Sequence, residues 1–367
     1  MKVVICGGHH SSALVVAEKL REKGHQVFWF GHKYSMIGDE NPSAEFLEVS
    51  QKGIPFVEIR AGKWQPRHHF WRNFFRIPLG FGKSFKKLLE VRPDLVVSFG
   101  GYLALPVAYS AAFLRIPVVT HEQTTAVGSA NKLIAKIARK VFITFENSAK
   151  YFSREKVILT GLPLRESLFE KGQKFFGNSK KTIYITGGKQ GSHVINEAVF
   201  QILLELLKKF NVIHQCGSST LFGDFERALK IKGDWGIKGK NYWPKEYFFE
   251  EEIGLVFNSA DFVISRAGAH TIYELLVLRK PAILIPIPWS SRGEQLKNAQ
   301  LLQSLGLAKI LSQKDLEAGA LEKTITDFVK TLPQRSKLTS FPKIQREASD
   351  LIVREIEKIG GKPDGHH

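Results

Sequence analysis

The chain has 367 residues, of which 43% are hydrophobic and 24% charged, a globular balance that excludes a disordered polypeptide and, by length, points to two domains. The formal net charge of +18 implies an anionic partner: nucleic acid, a phosphorylated ligand or an anionic membrane surface. The excess is concentrated early, since residues 1–162 carry 23 Lys and Arg against 12 Asp and Glu, and the two cysteines, Cys6 and Cys216, are too few for a disulfide framework and read as buried small hydrophobes in a reducing compartment.

The first residues read as a strand, Lys2–Cys6, rather than a secretory signal, and a glycine turn and a helix over residues 12–23 follow. Residues 26–30 form the next strand. Residues 95–114 hold no charged side chain and are long enough to cross a bilayer. Gly100, Gly101 and Pro106 break the run, so it is expected to be a buried strand, a glycine turn and a buried helix. Strands at 118–121 and 140–144 continue the series. The pattern restarts at residues 182–186, with a glycine turn, a helix over 194–210 and strands at 211–215, 261–265 and 282–286. Such alternation predicts an α/β chain of two Rossmann-like, doubly wound parallel-sheet domains, with ligands beyond the carboxyl ends of the strands, in the cleft between domains. The expected divisions are 1–162, 163–340, a last helix over 341–359 packing back on the first domain, and a polar tail, 360–367.

Chemistry-bearing residues cluster at the strand ends. Gly7, Gly8 and His9 follow the first strand and open the first helix. Backbone N–H groups there attract anions, and an imidazole there can take a hydroxyl proton near neutral pH. The plain alternative is a helix-capping His. Gly100-Gly101-Tyr102 is a second such turn, and His121-Glu122-Gln123, with Gly128 and Asn131, a third. Helix capping accounts easily for one such cluster and poorly for three. In the second half, Gly187, Gly188, Lys189, Gln190, Gly191 and Ser192 lack P-loop spacing but suit a diphosphate at a helix N-terminus. Residues 265–274 turn from strand to helix through Ala269 to Glu274, whose carboxylate can accept hydrogen bonds from a ribose diol. Gln295 and Asn298 share a helix face and suit sugar hydroxyls; the plain alternative is a solvated polar face.

The ordered motifs GGH (7–9), GGY (100–102), HEQ…G…N (121–131), GLPLR (161–165), GGKQG (187–191), SRAGAHTIYE (265–274) and EQLKNA (294–299) resemble glycosyltransferase family 28, of the GT-B fold, and within it the N-acetylglucosaminyl transferases of peptidoglycan synthesis. The resemblance runs from about residue 4 to about 311. It implies that the first domain holds a lipid-linked acceptor, undecaprenyl-diphosphate-linked MurNAc-pentapeptide, with Gly7, Gly8, Gly100, Gly101, Tyr102, His121, Glu122, Gln123 and Asn131 lining its site and His9 as general base for the 4-hydroxyl. It implies that the second holds UDP-N-acetylglucosamine. Glu274 would bind the ribose, and Arg165 with Gly188, Lys189, Gln190 and Gly191 the diphosphate. Gln295 and Asn298 would meet the sugar hydroxyls and Phe249 the uracil, with Ala269 also in the donor site. The implied reaction is a direct displacement at the anomeric carbon with inversion from α to β. No DxD motif is present and no cofactor or metal is implied. The chain departs from the family at Ser12 (usually Pro), Thr124 (usually Asn), Lys189 (usually Ser) and Glu294 (usually an amide).

Residues 63–87 hold seven basic side chains and no acidic one, interleaved with seven aromatics. Trp64, Arg67, Trp71, Arg72, Phe75, Arg76 and Lys83 read as an interfacial membrane patch, which would place the protein peripherally at the cytoplasmic face of the plasma membrane. The same composition suits single-stranded nucleic acid, but no nucleic-acid motif accompanies it. Part of the run, Phe74 and Phe75 above all, is equally suited to a core. The alternatives to the peptidoglycan reaction are transfer to another lipid such as diacylglycerol, a UDP-N-acetylglucosamine 2-epimerase of the same fold, and a non-catalytic sugar-nucleotide-binding protein.

Overall fold

The computed structural model describes residues 1–8, 10–34, 43–59, 70–125, 127–170, 172, 174–234, 236–290, 293–317, 319–332 and 347–361. The chain divides into two compact units, Met1–Leu164 with Gln345–His367, and Arg165–Ile344. In chain order the first holds β1 (Lys2–Cys6), α1 (His10–Glu22), β2 (Gln26–Gly31), α2 (Ala44–Gln51), β3 (Phe56–Glu58), α3 (Phe70–Val91), β4 (Leu95–Ser98), α4 (Ala104–Phe113), β5 (Val118–Glu122), α5 (Ser129–Ile137), β6 (Lys140–Ile143) and β7 (Val157–Leu159). The second holds β8 (Lys181–Thr186), α6 (His193–Lys209), β9 (Phe210–Gln215), α7 (Asp224–Asp234), β10 (Tyr242–Lys245), α8 (Glu250–Ser259), β11 (Phe262–Ser265), α9 (Ala269–Val277), β12 (Ala282–Leu284), α10 (Glu294–Ser304), β13 (Ala308–Ile310), α11 (Gln313–Glu317) and α12 (Leu321–Lys330). The last helix, α13 (Ala348–Gly360), rejoins the first unit.

Each unit is built on one parallel sheet, in the order β3-β2-β1-β4-β5-β6-β7 and β10-β9-β8-β11-β12-β13. The central strands are continuous apolar runs because both faces are covered. Val3 and Ile5 of β1 pack with α1 and α13, while Val4 and Cys6 pack with α4 and α5 on the opposite face. In each sheet the winding reverses beside the first strand. β1 lies between β2 and β4, and β8 between β9 and β11. The crevice beyond the carboxyl end of such a strand is where this architecture accepts ligands. The expected α/β parallel-sheet class is thus observed twice. The four strands not read from sequence, β3, β7, β10 and β13, are the four sheet edges. Three of them are only three residues long, too short to show a period.

Helix α13 buries Ile352, Val353 and Ile356 in the core shared with α1. Its polar side pairs with the same unit: Lys19 with Asp350 at 3.3 Å, and Lys23 and His25 with Glu357 at 2.8 and 3.0 Å. Among the described residues no helix is long and apolar enough to cross a membrane.

Candidate active site

The turns after β1 and β4 are pressed together in the first unit. A Cβ on Gly7 (φ +132°) would lie 2.7 Å from the Gly100 carbonyl oxygen, and the Gly8 N–H donates to that oxygen at 3.0 Å. Only glycine permits this approach. Beneath them runs a buried polar chain. Ser98 Oγ accepts from the Gly100 N–H at 3.1 Å and stands 3.3 Å from Thr120 Oγ1, the oxygen to which its own hydroxyl donates. Asn131 Oδ1 accepts from Thr120 Oγ1 at 3.0 Å, and Asn131 Nδ2 donates to the His121 carbonyl at 3.1 Å and to Glu122 Oε2 at 2.9 Å. The buried Glu122 carboxylate also accepts from the Thr124 N–H (2.9 Å), the Thr124 hydroxyl (2.8 Å) and the Gly128 N–H (3.2 Å). It therefore closes the 122–131 loop on itself, and the unusual Thr124 supplies two of its four donors, one of them the side-chain hydroxyl. His121 is fully buried, and its Nε2–H donates to the Gly161 carbonyl at 3.0 Å. Gln123 is buried with its side-chain nitrogen unpaired among the described residues. Tyr102 is 37% exposed beside His32, ring centroids 5.6 Å apart; partial burial, then the Glu45 carboxylate, raises its pKa. His9 lies outside the described residues.

In the second unit the turn of residues 187–191 joins β8 to α6. Gly188 (φ +90°) and Gly191 (φ +82°) take backbone conformations that side chains resist. Gln215, absent from the sequence-derived site, braces the turn: its Nε2 donates to Thr186 Oγ1 at 3.0 Å and to the Gly188 carbonyl at 2.9 Å. Lys189 Nζ stands 5.2 Å over the Tyr247 ring, and the Lys189 carbonyl accepts from the Ser218 N–H at 3.0 Å. Gln190 is exposed at the tip, and Arg165 is buried at the start of a short 3-10 turn.

Around the β11–α9 turn, Gln295 and Asn298 grip one residue from both sides. Gln295 Oε1 accepts from the Ala267 N–H at 3.3 Å and the Ile287 N–H at 3.1 Å, while Asn298 Nδ2 donates to the Ala267 carbonyl at 3.1 Å. Asn298 is 0% exposed. The shared helix face expected from their spacing is real, and it holds the turn that carries Ala269. Glu274 sits on α9, with His270 Nε2 3.2 Å from its carboxylate. Arg266 is a further member missed from the sequence: its Nη2 donates to Ser192 Oγ at 2.8 Å and to Gln313 Oε1 at 3.0 Å, joining this turn to the start of α6. Burial, opposed by Glu317, lowers its pKa. Its place inside the 265–274 motif was the available signal. Phe249 is 47% exposed, edge-on to Tyr247 at 5.3 Å, at the N-cap of α8. Among the described residues no group of three or more His, Cys, Asp or Glu could hold a metal ion.

Of the candidate membrane patch, Trp64 and Arg67 lie outside the described residues, and Trp71, Arg72, Phe75 and Arg76 are described by the α3 backbone alone. The rest of α3 turns Ser84 and Leu88 inward, and leaves Leu79 and Lys86 exposed. Phe113, at the end of α4, is 80% exposed and meets Phe85 at 5.9 Å. Lys83 reaches Glu58 at 3.9 Å.

Residues 6–143 match the glycosyltransferase family 28 N-terminal domain, and residues 182–353 the glycosyltransferase family 28 C-terminal domain. The chain is 34% identical over 365 residues to the UDP-N-acetylglucosamine–N-acetylmuramyl-(pentapeptide) pyrophosphoryl-undecaprenol N-acetylglucosamine transferase of Clostridium perfringens, with 96% of each chain covered. It is 32% identical over 374 residues to the transferase 2 of that name from Bacillus cereus, with 97% of this chain and 99% of the other covered. Among solved structures it is similar to Acinetobacter baumannii MurG, with a TM-score of 0.68 and 25% identity, covering 97% of this chain and 99% of that one. A UDP-GlcNAc 2-epimerase from Neisseria meningitidis matches with a TM-score of 0.62 at 15% identity over 98% and 100% of the two chains, a likeness of fold alone. Two matched domains, relatives covered over nearly their whole length and two parallel sheets with glycine turns at the carboxyl ends of their strands make this chain a glycosyltransferase of family 28, with the GT-B fold.

Proposed function

We propose that the chain transfers N-acetylglucosamine from UDP-N-acetylglucosamine to the 4-hydroxyl of the MurNAc of lipid I, forming lipid II for the cell wall. The observation that carries this is the 34% identity to a transferase of that name over 96% of both chains. The buried order of both strand-end turns supports it, since a diphosphate needs fixed backbone donors. The test is to incubate the protein with UDP-N-acetylglucosamine and a short-chain lipid-linked MurNAc-pentapeptide analogue. UDP release with a product heavier by one N-acetylhexosamine is expected. Donor binding without transfer would overturn the acceptor and leave another lipid, such as diacylglycerol, as substrate.

The acceptor's diphosphate rests on the turns at Gly7–Gly8 and Gly100–Gly101. His9 takes the hydroxyl proton as the oxygen attacks the anomeric carbon; UDP leaves and the configuration inverts. On the donor side, Arg165 and the turn of residues 187–191 stabilise the departing diphosphate, Glu274 accepts from the ribose, Phe249 meets the uracil, and the Ala269 turn held by Gln295 and Asn298 meets the sugar. The acceptor half is 1–162 and the donor half 163–340, limits that differ by a few residues from the compact units.

The outer side of α3 and α4 docks on an anionic membrane. Exposed Leu79 and Phe113 beside Lys86 support this, because apolar insertion and cation attraction act together at a lipid interface. Replacing Arg72, Arg76, Lys83 and Lys86 by Glu is expected to abolish pelleting with anionic vesicles. Unchanged pelleting would remove this surface from the account.

A further inference from the structure

The turn after β8 rests on the end of β9. A Cβ on Gly191 would lie 2.0 Å from the Cys216 carbonyl oxygen, and one on Gly217 would lie 2.1 Å from the Gly191 Cα. The two backbones are in contact, so the height of residues 187–191 follows the position of Cys216. The Cys216 carbonyl accepts from Asn196 Nδ2 at 2.9 Å, and the other hydrogen of that nitrogen goes to Asp224 Oδ2 at 2.8 Å. Both amide hydrogens are committed, so Asn196 can offer only Oδ1 to His214 Nε2, 3.0 Å away. That nitrogen must carry the proton. His214 Nδ1 is then an acceptor, and the Tyr242 hydroxyl donates to it at 3.0 Å. Asp224 Oδ1 accepts from Nδ1 of His193, the first residue of α6, at 2.9 Å. The chain from Tyr242 through His214 and Asn196 to Asp224 has one hydrogen-bond orientation. His214 is 0% exposed. Burial also lowers its pKa to about 4, with Asp224 opposing, so the ring is neutral at physiological pH.

We propose that His214, as its Nε2-protonated neutral tautomer, is a positioning residue for the donor diphosphate. It acts through Asn196 and the Cys216 carbonyl on the turn of residues 187–191, and touches no substrate itself. This rests on reading that turn as the diphosphate site. Satisfied buried networks hold their members in one arrangement, and removing one member leaves the others unpaired. Leu in place of His214 would strand both Asn196 Oδ1 and the Tyr242 hydroxyl.

The test compares binding of UDP with binding of uridine, which lacks the diphosphate, by titration calorimetry. His214→Leu is expected to weaken UDP about tenfold, or about 1.4 kcal/mol, and uridine less than twofold. His214→Gln, whose amide can donate to Asn196 Oδ1, should recover most of the UDP affinity. Equal weakening of both ligands would make His214 a general structural residue and overturn the proposal, as would unchanged UDP binding. Wild-type protein that binds UDP no better than uridine would instead overturn the diphosphate site itself. A 15N spectrum of the wild-type imidazoles needs no variant to fold. A proton on His214 Nε2 is expected, and one on Nδ1 would overturn the proposal.

Discussion

At the scale of single residues, the polar groups at the strand ends divide into those that shape a turn and those left to meet a ligand. Glu122 belongs to the first kind, because both its oxygens are occupied by donors of its own loop. Glu122→Gln places an amide N–H against those donors, and a loss of roughly 2–3 kcal/mol of stability is expected by urea unfolding, together with slower transfer. Gln295 and Asn298 likewise spend their amides on Ala267. Their spacing was legible in the sequence. Their partner was not, because Ala267 lies some thirty residues earlier and reaches them only through the packing of α10 beside α9. His9 carries the opposite expectation: His9→Ala should lower turnover by about 10²–10⁴-fold, with the KM for the donor sugar nearly unchanged. An unaltered turnover number would take the general-base role from it.

Among the elements, the glycine turns were the most legible feature, since Gly-Gly after an apolar run marks a strand-to-helix turn. Which glycine tolerates change depends on the neighbouring strand. Gly188 (φ +90°) has nothing within 4 Å of an added Cβ, whereas Gly191 (φ +82°) would drive one into the Cys216 carbonyl at 2.0 Å. Gly188→Ala should therefore cost only its conformational strain, roughly 1–2 kcal/mol. Gly191→Ala should cost more and raise the Kd for UDP as well. Similar UDP affinities for the two variants would count against contact between these turns as the controlling feature. The edge strands were not legible for a related reason. A three-residue strand such as β13 is stabilised by the register with β12 rather than by its own pattern.

For the whole molecule, one expectation concerns the return of α13 to the first unit. Ile352, Val353 and Ile356 are fully buried there, each contributing roughly 1.5–3 kcal/mol by leaving water. Deleting residues 347–367 should speed amide exchange in α1 and β1 while leaving β8 and β9 protected; equal effects on both units would contradict the division. A second concerns acid. His214 is held at about 4 in the folded chain against an ordinary value of 6.5. Between these values the unfolded chain binds more protons, so stability rises with pH in that window. The contribution is fully present above pH 6.5 and is lost as pH falls towards 4, a change of roughly 3 kcal/mol. Urea midpoints at pH 7 and pH 4.5 would show it, and His214→Gln should flatten the difference. Length, charge and apolar periodicity by themselves determined that this chain forms two parallel-sheet domains and where the glycine turns fall, because runs buried on both faces and strand-to-helix turns are local patterns. Only the tertiary structure decided that Glu122 closes its own loop, that Gln215 braces the 187–191 turn, and that His214 bears its proton on Nε2. Each of these depends on a hydrogen-bond partner supplied by another element, and satisfying buried polar groups is a constraint on the folded chain as a whole.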